Sequence, residues 1–335
     1  MTTNKRWVLA RRPDGVPSTD DFRLEENALP ALQDGQALVR VDHISVDPGM
    51  RSRLSGDSYA PALELGATIE SAGIGKVVAS NCAKLKEGAL VWGGFGWQSH
   101  LISDGRGVQP LDPELYKGKI TPTTAIGLFG IPGLTAFFGM FEIGKLRTGN
   151  TVLVSSGAGT VGATAGQIAK LQGCTVVGLA GSDAKCAYLK EIGFDAAINY
   201  KTAGDLASAF KTTAPKGFDI YFDNVGGETL DAAILNLRKN GRIVVSGQIS
   251  EYNTQTPRGI RNTLPFITQR LRMEGLVVYD FAVQFDEARR QLAEWVNEGK
   301  LTWREEIIQG IENTPEAFIG LFNGDSFGRR LVHVS

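Results

Sequence analysis

Along the first 120 residues the apolar positions come in short runs, at 7–10, 37–44, 75–78, 89–92 and 97–102, and these predict β-strands. Turn-forming stretches such as Arg12-Pro13-Asp14-Gly15 and Gly93-Gly94-Phe95-Gly96 cut them apart. Closely spaced strands with little helix point to a compact β-barrel-type or sandwich domain. Near residue 122 the pattern changes. Residues 122–142 are apolar and glycine-bearing and predict one or two helices. From 151 to about 298, strands expected at 151–155, 175–179, 196–199, 218–223, 241–246 and 273–278 alternate with helices expected at 161–171, 183–192, 206–212, 228–237 and 263–271, and 285–297 closes the series. Six strands with helical crossovers are what a doubly wound parallel sheet requires. A last β-like run, Arg330-Leu331-Val332-His333-Val334, follows the completed sheet and is expected to pair with the first domain. The expectation is an α/β protein: residues 1–122 form a β-barrel-type domain, 123–298 an inserted doubly wound domain, and 299–335 return to the first.

One turn in this pattern carries chemistry. Gly157-Ala158-Gly159-Thr160-Val161-Gly162 follows the apolar run Thr151-Val152-Leu153-Val154 and opens the next helix. In a dinucleotide fingerprint the first glycine permits the tight turn, the second lets backbone reach a pyrophosphate, and the third lets helix and strand pack closely. The N–H groups at the helix start then face the phosphates. A glycine turn kept for packing alone is the alternative. Walker-type phosphate binding is excluded by the missing Gly-Lys-Ser/Thr. The next strand runs into Ala180-Gly181-Ser182 with no carboxylate before Asp183, where an NAD site usually places an acid for the ribose 2′-OH. Ser182 suits a helix N-cap, and Lys185 lies in the first turn. Together with Tyr200 they suit a 2′-phosphate, so NADPH is expected over NADH; an exposed helix lysine is the alternative for Lys185.

Composition narrows the picture. The 335 residues include 41 glycines, against roughly 23 expected at average usage of ~7%. A net charge of −1 gives no electrostatic footprint for nucleic acid or an anionic membrane, and neither is expected as a partner. No run approaches the ~18 apolar residues of a membrane span, and the N-terminal stretch lacks the apolar core of a signal peptide. Cys82, Cys174 and Cys186 show no metal or disulfide spacing, so reduced cysteines in a cytoplasmic protein are expected.

The three histidines, His43, His100 and His333, stand singly, with no nearby cysteine, so no metal site is expected. No Gly-x-Ser-x-Gly elbow occurs either. What remains is metal-free hydride transfer, in which the protein supplies orientation and a proton. A conjugated enone suits it, because hydride adds to the β-carbon and a hydrogen-bond donor stabilises the enolate. Tyr252, just past the fifth strand of the sheet, and Tyr59, in a first-domain loop, are candidate donors; each taken alone is more often a packing residue.

Asp47-Pro48-Gly49-Met50-Arg51, Gly130-Ile131-Pro132-Gly133-Leu134-Thr135-Ala136, the glycine-rich turn, Gly166-Gln167-Ile168-Ala169-Lys170, Gly181-Ser182-Asp183-Ala184-Lys185, Phe222-Asp223-Asn224-Val225-Gly226-Gly227 and the segment 249–253 occur together. In these the chain resembles, over nearly its whole length, the zinc-independent medium-chain dehydrogenase/reductases of the leukotriene B4 dehydrogenase, prostaglandin reductase and plant double-bond reductase group, with its bacterial curcumin reductase-like members. The resemblance implies a GroES-like catalytic domain around a Rossmann domain, NADPH as cofactor, and a homodimer. It implies that residues 159–162 hold the pyrophosphate and that Lys185 and Tyr200 meet the 2′-phosphate. Asn224 would lie near the nicotinamide, Ser246 and Gly247 through Tyr252 would line cofactor and substrate, and Leu276, Val277 and Val278 would border the nicotinamide. Tyr252 matches the tyrosine associated with the enone oxygen. Two positions depart from the family: Gly49 replaces the tyrosine of Asp-Pro-Tyr-Met-Arg, and Ser326 the asparagine of Gly-Glu-Asn-Leu-Gly. The expected activity is NADPH-dependent reduction of the double bond of α,β-unsaturated ketones or aldehydes. The alternatives are an NADPH:quinone oxidoreductase and a non-catalytic NADPH-binding protein.

Overall fold

The computed structural model describes residues 2–58 and 60–335, and the chain divides into two units. One gathers Met1–Ile126, Glu305–Ser326 and Arg330–Ser335; the other gathers Gly127–Arg304 and Phe327–Arg329.

In the first unit, β1 (Thr3–Leu9) and β2 (Phe22–Ala28) pair antiparallel. The sequence FRLEENA gives β2 almost no apolar alternation, and no strand is expected there. It is held instead by the ladder to β1 and by Arg6, whose guanidinium meets Glu25 at 2.9 Å. A second sheet is built from β3 (Ala37–Ser45), β4 (Ala72–Ser80), β5 (Leu90–Gly94), β6 (His100–Ser103) and β7 (Val108–Pro110), with α1 (Met50–Ser55) between β3 and β4.

The second unit opens with α2 (Ile131–Phe138) and then alternates: β8 (Thr151–Val154), α3 (Thr160–Leu171), β9 (Thr175–Ala180), α4 (Asp183–Glu191), β10 (Ala196–Asn199), α5 (Leu206–Thr213), β11 (Phe218–Asp223), α6 (Gly227–Asn236), β12 (Leu237–Val245), α7 (Leu264–Thr268), β13 (Arg272–Gly275) and α8 (Phe285–Asn297). The strands lie in the order β10-β9-β8-β11-β12-β13, all parallel, as in a doubly wound sheet. Burial on both faces explains the apolar runs of β8, β9 and β11. Leu153, Val177, Tyr221 and Ile243 pack with α5 and α6 residues such as Phe210 and Leu230, while Phe222 points the other way, towards Gly139 after α2. Two expectations shorten here. The helix expected over 263–271 is only α7, because Arg270 takes a left-handed φ of 52° and stops it. The strand expected over 273–278 ends at Gly275, because Val278 begins a 3₁₀ turn and is buried with Leu134, Phe138 and Ala288.

The chain then returns to the first unit with β14 (Glu305–Gln309), α9 (Thr314–Ile319) and β15 (Arg329–His333). The sheet there reads β14-β15-β3-β4-β5-β7, with β6 also on β3, and β15 sets Leu331 opposite Ser45 and His333 opposite His43. Phe318 of α9 packs edge-on to Trp97 at 5.7 Å between centroids, and Phe22 completes the aromatic cluster of this core.

Candidate active site

The order of the parallel sheet reverses direction between β8 and β11, and ligands of such sheets bind beyond the carboxyl ends of the strands at that point. β8 ends there in Ser155 and the glycine-rich turn. The left-handed residue of the turn is Ser156, with φ 51°, one residue before the glycine expected to permit the tight turn. Gly157 is bare for another reason: a Cβ on it would press on the Leu189 methyls at 3.1 Å. Gly162 is required by packing, since a Cβ there would overlap the Ser156 carbonyl and lie 2.9 Å from the Gly157 Cα. Gly166, one turn on, faces the Phe194 ring with no room for a methyl.

Gly159 differs. A Cβ on it would meet nothing closer than the Ser156 carbonyl at 3.4 Å, an ordinary contact. The chain's own packing does not demand a glycine here, and the bare Cα leaves room for a ligand to approach the backbone. No side chain caps α3, and its first turn begins directly after Gly159. Beside the turn, Gly328 donates its N–H to the Ala158 carbonyl at 3.0 Å, and Phe327 stacks between Tyr188, at 5.1 Å between centroids, and the Arg304 guanidinium, 4.1 Å above its ring. In the sequence these contacts fall on the last two positions of the Gly-Glu-Asn-Leu-Gly pattern, Phe327 and Gly328, the latter at φ 80°.

At the end of β9 the expected polar residues come together. Ser182 caps α4 and accepts the Lys185 N–H at 3.3 Å. Tyr200 brings its phenol against Gly181, where a Cβ would lie 2.8 Å from the Oη. The nearby Asp183 carboxylate is turned to Asn199, whose Nδ2 donates to it at 2.8 Å.

The carboxyl end of β11 holds a buried polar cluster that sequence patterning did not assign. Asp223 Oδ1 accepts from the Tyr221 hydroxyl at 2.7 Å, from the Gly226 and Val225 N–H groups at 2.9 and 3.0 Å, and from Ser155 at 3.4 Å. Burial pushes its carboxyl above the ordinary carboxylate range, opposed by those donors. Burial also raises the Tyr221 phenol well above its ordinary value, and the Asp223 charge adds to it, so Tyr221 is a fixed donor. The sign in the sequence is an acid closing an otherwise apolar strand, Phe218–Asp223. The cluster orients Asn224: its backbone N–H donates to Ser155 Oγ at 2.9 Å and its Nδ2 to the Ser155 carbonyl at 2.8 Å.

Across the same turn, Ser246 and Gly247 donate their N–H groups to the Asp223 carbonyl at 2.8 and 3.1 Å. Tyr252 folds back over Gly247. A Cβ there would be 3.2 Å from the phenol oxygen and 3.4 Å from the Asn224 carbonyl, so the structure gathers Asn224, Gly247 and Tyr252. The Tyr252 oxygen accepts the Gln248 N–H at 3.2 Å. Leu276 continues along β12, donating to the Val245 carbonyl at 3.0 Å; Val277 is exposed and Val278 is buried in the α2–α8 packing. Ser326 is half-buried in the first unit, in the segment before Phe327. Tyr59 lies outside the described residues. Gly49 sits at the start of α1 with right-handed angles, φ −62° and ψ −20°, which any residue adopts, so its bareness is no demand of the backbone.

Residues 5–111 match a family described as "N-terminal domain of oxidoreductase", and residues 160–298 one described as "Zinc-binding dehydrogenase". Among the described residues no three His, Cys, Asp or Glu side chains gather in a metal-binding group. Prostaglandin reductase 1 of Rattus norvegicus is 42% identical over 335 residues, covering 99% of both chains. NADPH-dependent curcumin reductase of Escherichia coli is 39% identical over 341 residues, covering 99% of this chain and 97% of its own. The crystal structure of CurA in complex with NADPH from Vibrio vulnificus matches with a TM-score of 0.92 at 36% identity, over 99% of each chain. A doubly wound sheet with a dinucleotide turn, an inserted domain order and similarity along the whole length agree: the chain belongs to the medium-chain dehydrogenase/reductase superfamily, in the group of the prostaglandin, curcumin and alkenal reductases.

Proposed function

We propose that this protein reduces the carbon–carbon double bond of α,β-unsaturated ketones and aldehydes with NADPH, without a metal. The juxtaposition that carries this assignment is the Tyr252 phenol over Gly247 and Asn224, at the carboxyl end of the sheet that also presents the bare Gly159 and the uncapped start of α3. The residues present fit NADPH. The turn 157–162, with the N–H groups of Thr160 and Val161, takes the pyrophosphate; Ser182, Lys185 and Tyr200 take the 2′-phosphate. Asn224 spends its Nδ2 on Ser155, leaving Oδ1 as the acceptor for the nicotinamide half, beside Ser246, Leu276 and Val277 of the same unit. In this assignment residues 123–298 hold the cofactor and carry Tyr252, and 1–122 with 299–335 form the GroES-like domain.

Bound NADPH supplies the hydride that reaches the β-carbon. The protein's task is to polarise the carbonyl and stabilise the enolate. Tyr252 does so through its hydroxyl: the oxygen accepts the Gln248 N–H, which draws electron density from the O–H bond and strengthens it as a donor. The same proton can then pass to the enolate.

The test is a panel of enones, enals and quinones with deuterated NADPH. Saturated carbonyls carrying deuterium at the β-carbon are expected. Turnover of quinones alone would replace this assignment with quinone reduction, and cofactor binding without any turnover would leave a binding protein.

We infer also a cytoplasmic homodimer. β13 is the outer strand of its sheet, and Leu264, Ile267, Tyr279 and Val283 near it in sequence are exposed, Ile267 by 76%. Light scattering at the mass of one chain would overturn the dimer.

A further inference from the structure

Tyr252 stands on a loop, residues 246–263 between β12 and α7, that has no helix or strand of its own. A loop of that length holds a side chain in one place only if it is tied down. Its near part is tied to the turn after β11. Ile249 donates to the Asn224 carbonyl at 3.4 Å, and Ser250 donates to the Val225 carbonyl through its N–H at 3.1 Å and its hydroxyl at 2.6 Å. Gly226 and Gly227, at φ 73° and 55°, make this approach possible: a Cβ on Gly227 would lie 2.8 Å from Ser250 Oγ and 3.0 Å from Glu251 Oε1.

The far part is tied to α6 chiefly by one side chain. Arg258 reaches Glu228 at 2.5 Å and Asp231 at 3.5 Å, both near the start of α6, and its backbone N–H donates to the Glu251 carboxylate at 3.0 Å. The Arg261 N–H adds a bond to Asp231 Oδ1 at 3.0 Å. Glu251 immediately precedes Tyr252 and also donates its N–H to the Gln248 carbonyl at 2.8 Å. A continuous path of bonds therefore runs from α6 through Arg258 and Glu251 to the turn that carries the phenol. The guanidinium is the counter-charge shared by Glu228 and Asp231; without it those two carboxylates would lose their common partner, and the loop is the part that can yield.

We propose that Arg258 is a positioning residue for Tyr252: its guanidinium clamps the loop to α6 and so fixes the phenol where the substrate oxygen meets it. This rests on the assignment of the protein as an enone reductase with Tyr252 at the substrate.

The test compares the full-length chain with its Arg258→Met and Arg258→Lys variants, reading kcat and KM for an enone, Kd for NADPH, Tm, and hydrogen exchange at the Gln248 amide. In Arg258→Met kcat is expected to fall about tenfold, the cost of a small misplacement of a catalytic group. The Gln248 amide should exchange faster as its bond to the phenol opens, while NADPH affinity, set at Ser182, Lys185 and Tyr200, is retained. Arg258→Lys should restore part of both. Wild-type kcat and unchanged exchange in Arg258→Met would overturn the clamp. A joint fall of kcat, NADPH affinity and Tm would also overturn it, by making Arg258 merely structural. Absence of enone turnover in the wild-type chain would instead sink the functional assignment, and the exchange at Gln248 would still decide the clamp.

Discussion

A phenol that accepts a backbone N–H is held in one place with its O–H polarised, and Tyr252 is such a phenol. Tyr252→Phe should therefore lower kcat on enones by about 10²-fold, the lower end of what a positioned proton donor contributes. Its NADPH affinity, titrated by fluorescence, should be unchanged. Lys185 offers a separate test, since it sits where Ser182 and Tyr200 converge and the Asp183 carboxylate is turned aside. Lys185→Ala should raise the Kd for NADPH about tenfold, the loss of one charge-assisted contact, and leave NADH nearly unaffected. An equal loss for both cofactors would show that Lys185 does not read the 2′-phosphate. Residue type and spacing made these positions legible, and they also marked Gly159. They did not reveal that Ser156 takes the left-handed angle, because a serine at φ 51° leaves no mark on the sequence. Nor did they reveal what Asp223 holds, because Ser155 becomes its neighbour only once β8 and β11 pair.

At the scale of elements, α3 is fixed to the sheet by its lack of side chains on one face. Gly166 accepts the Phe194 ring, and Gly178 of β9 faces the same ring at 2.7 Å from where its Cβ would be. Gly166→Ala should destabilise the fold by about 1–3 kcal/mol, the usual cost of overpacking, measured by urea unfolding. Adding Phe194→Leu should recover part of that loss, since the two sites share one space. Strands buried on both faces were legible from their apolar runs, as β8 and β11 show. β2 and β14 were not, because β2 has four of its seven residues exposed and β14 has none fully buried, so their ladders, rather than burial, hold them. α7 was overestimated because Leu264 and Ile267 continue an apolar pattern while remaining at the surface.

For the whole molecule, acid should be a sensitive direction. Burial lowers the pKa of His43, and the nearby His333 lowers it further; burial, then Arg40, lowers that of His100. The unfolded chain, with ordinary imidazole values of about 6.5, then binds protons that the folded chain does not. The stability these residues contribute is present above that value and is lost as pH falls through their folded values. Tm should drop between pH 7 and 5, and a His43→Gln, His100→Gln double variant should flatten that drop. NADPH acts in the opposite direction: at a hundredfold excess over Kd it should add about 2.7 kcal/mol, seen as a rise in Tm that Lys185→Ala diminishes.

The pairing of β15 with β3 has a consequence in time. Leu331 lies opposite Ser45, so the sheet of the first unit cannot be completed until Leu331 itself has left the ribosome. The residues that make up the parallel sheet, Thr151 to Gly275, are contiguous and emerge earlier. That sheet can fold while the first unit still waits for its strand, and its compaction shortens the loop that must close to bring Leu331 to Ser45. Synthesis order thus makes the inserted half a folding aid to the half that encloses it in sequence.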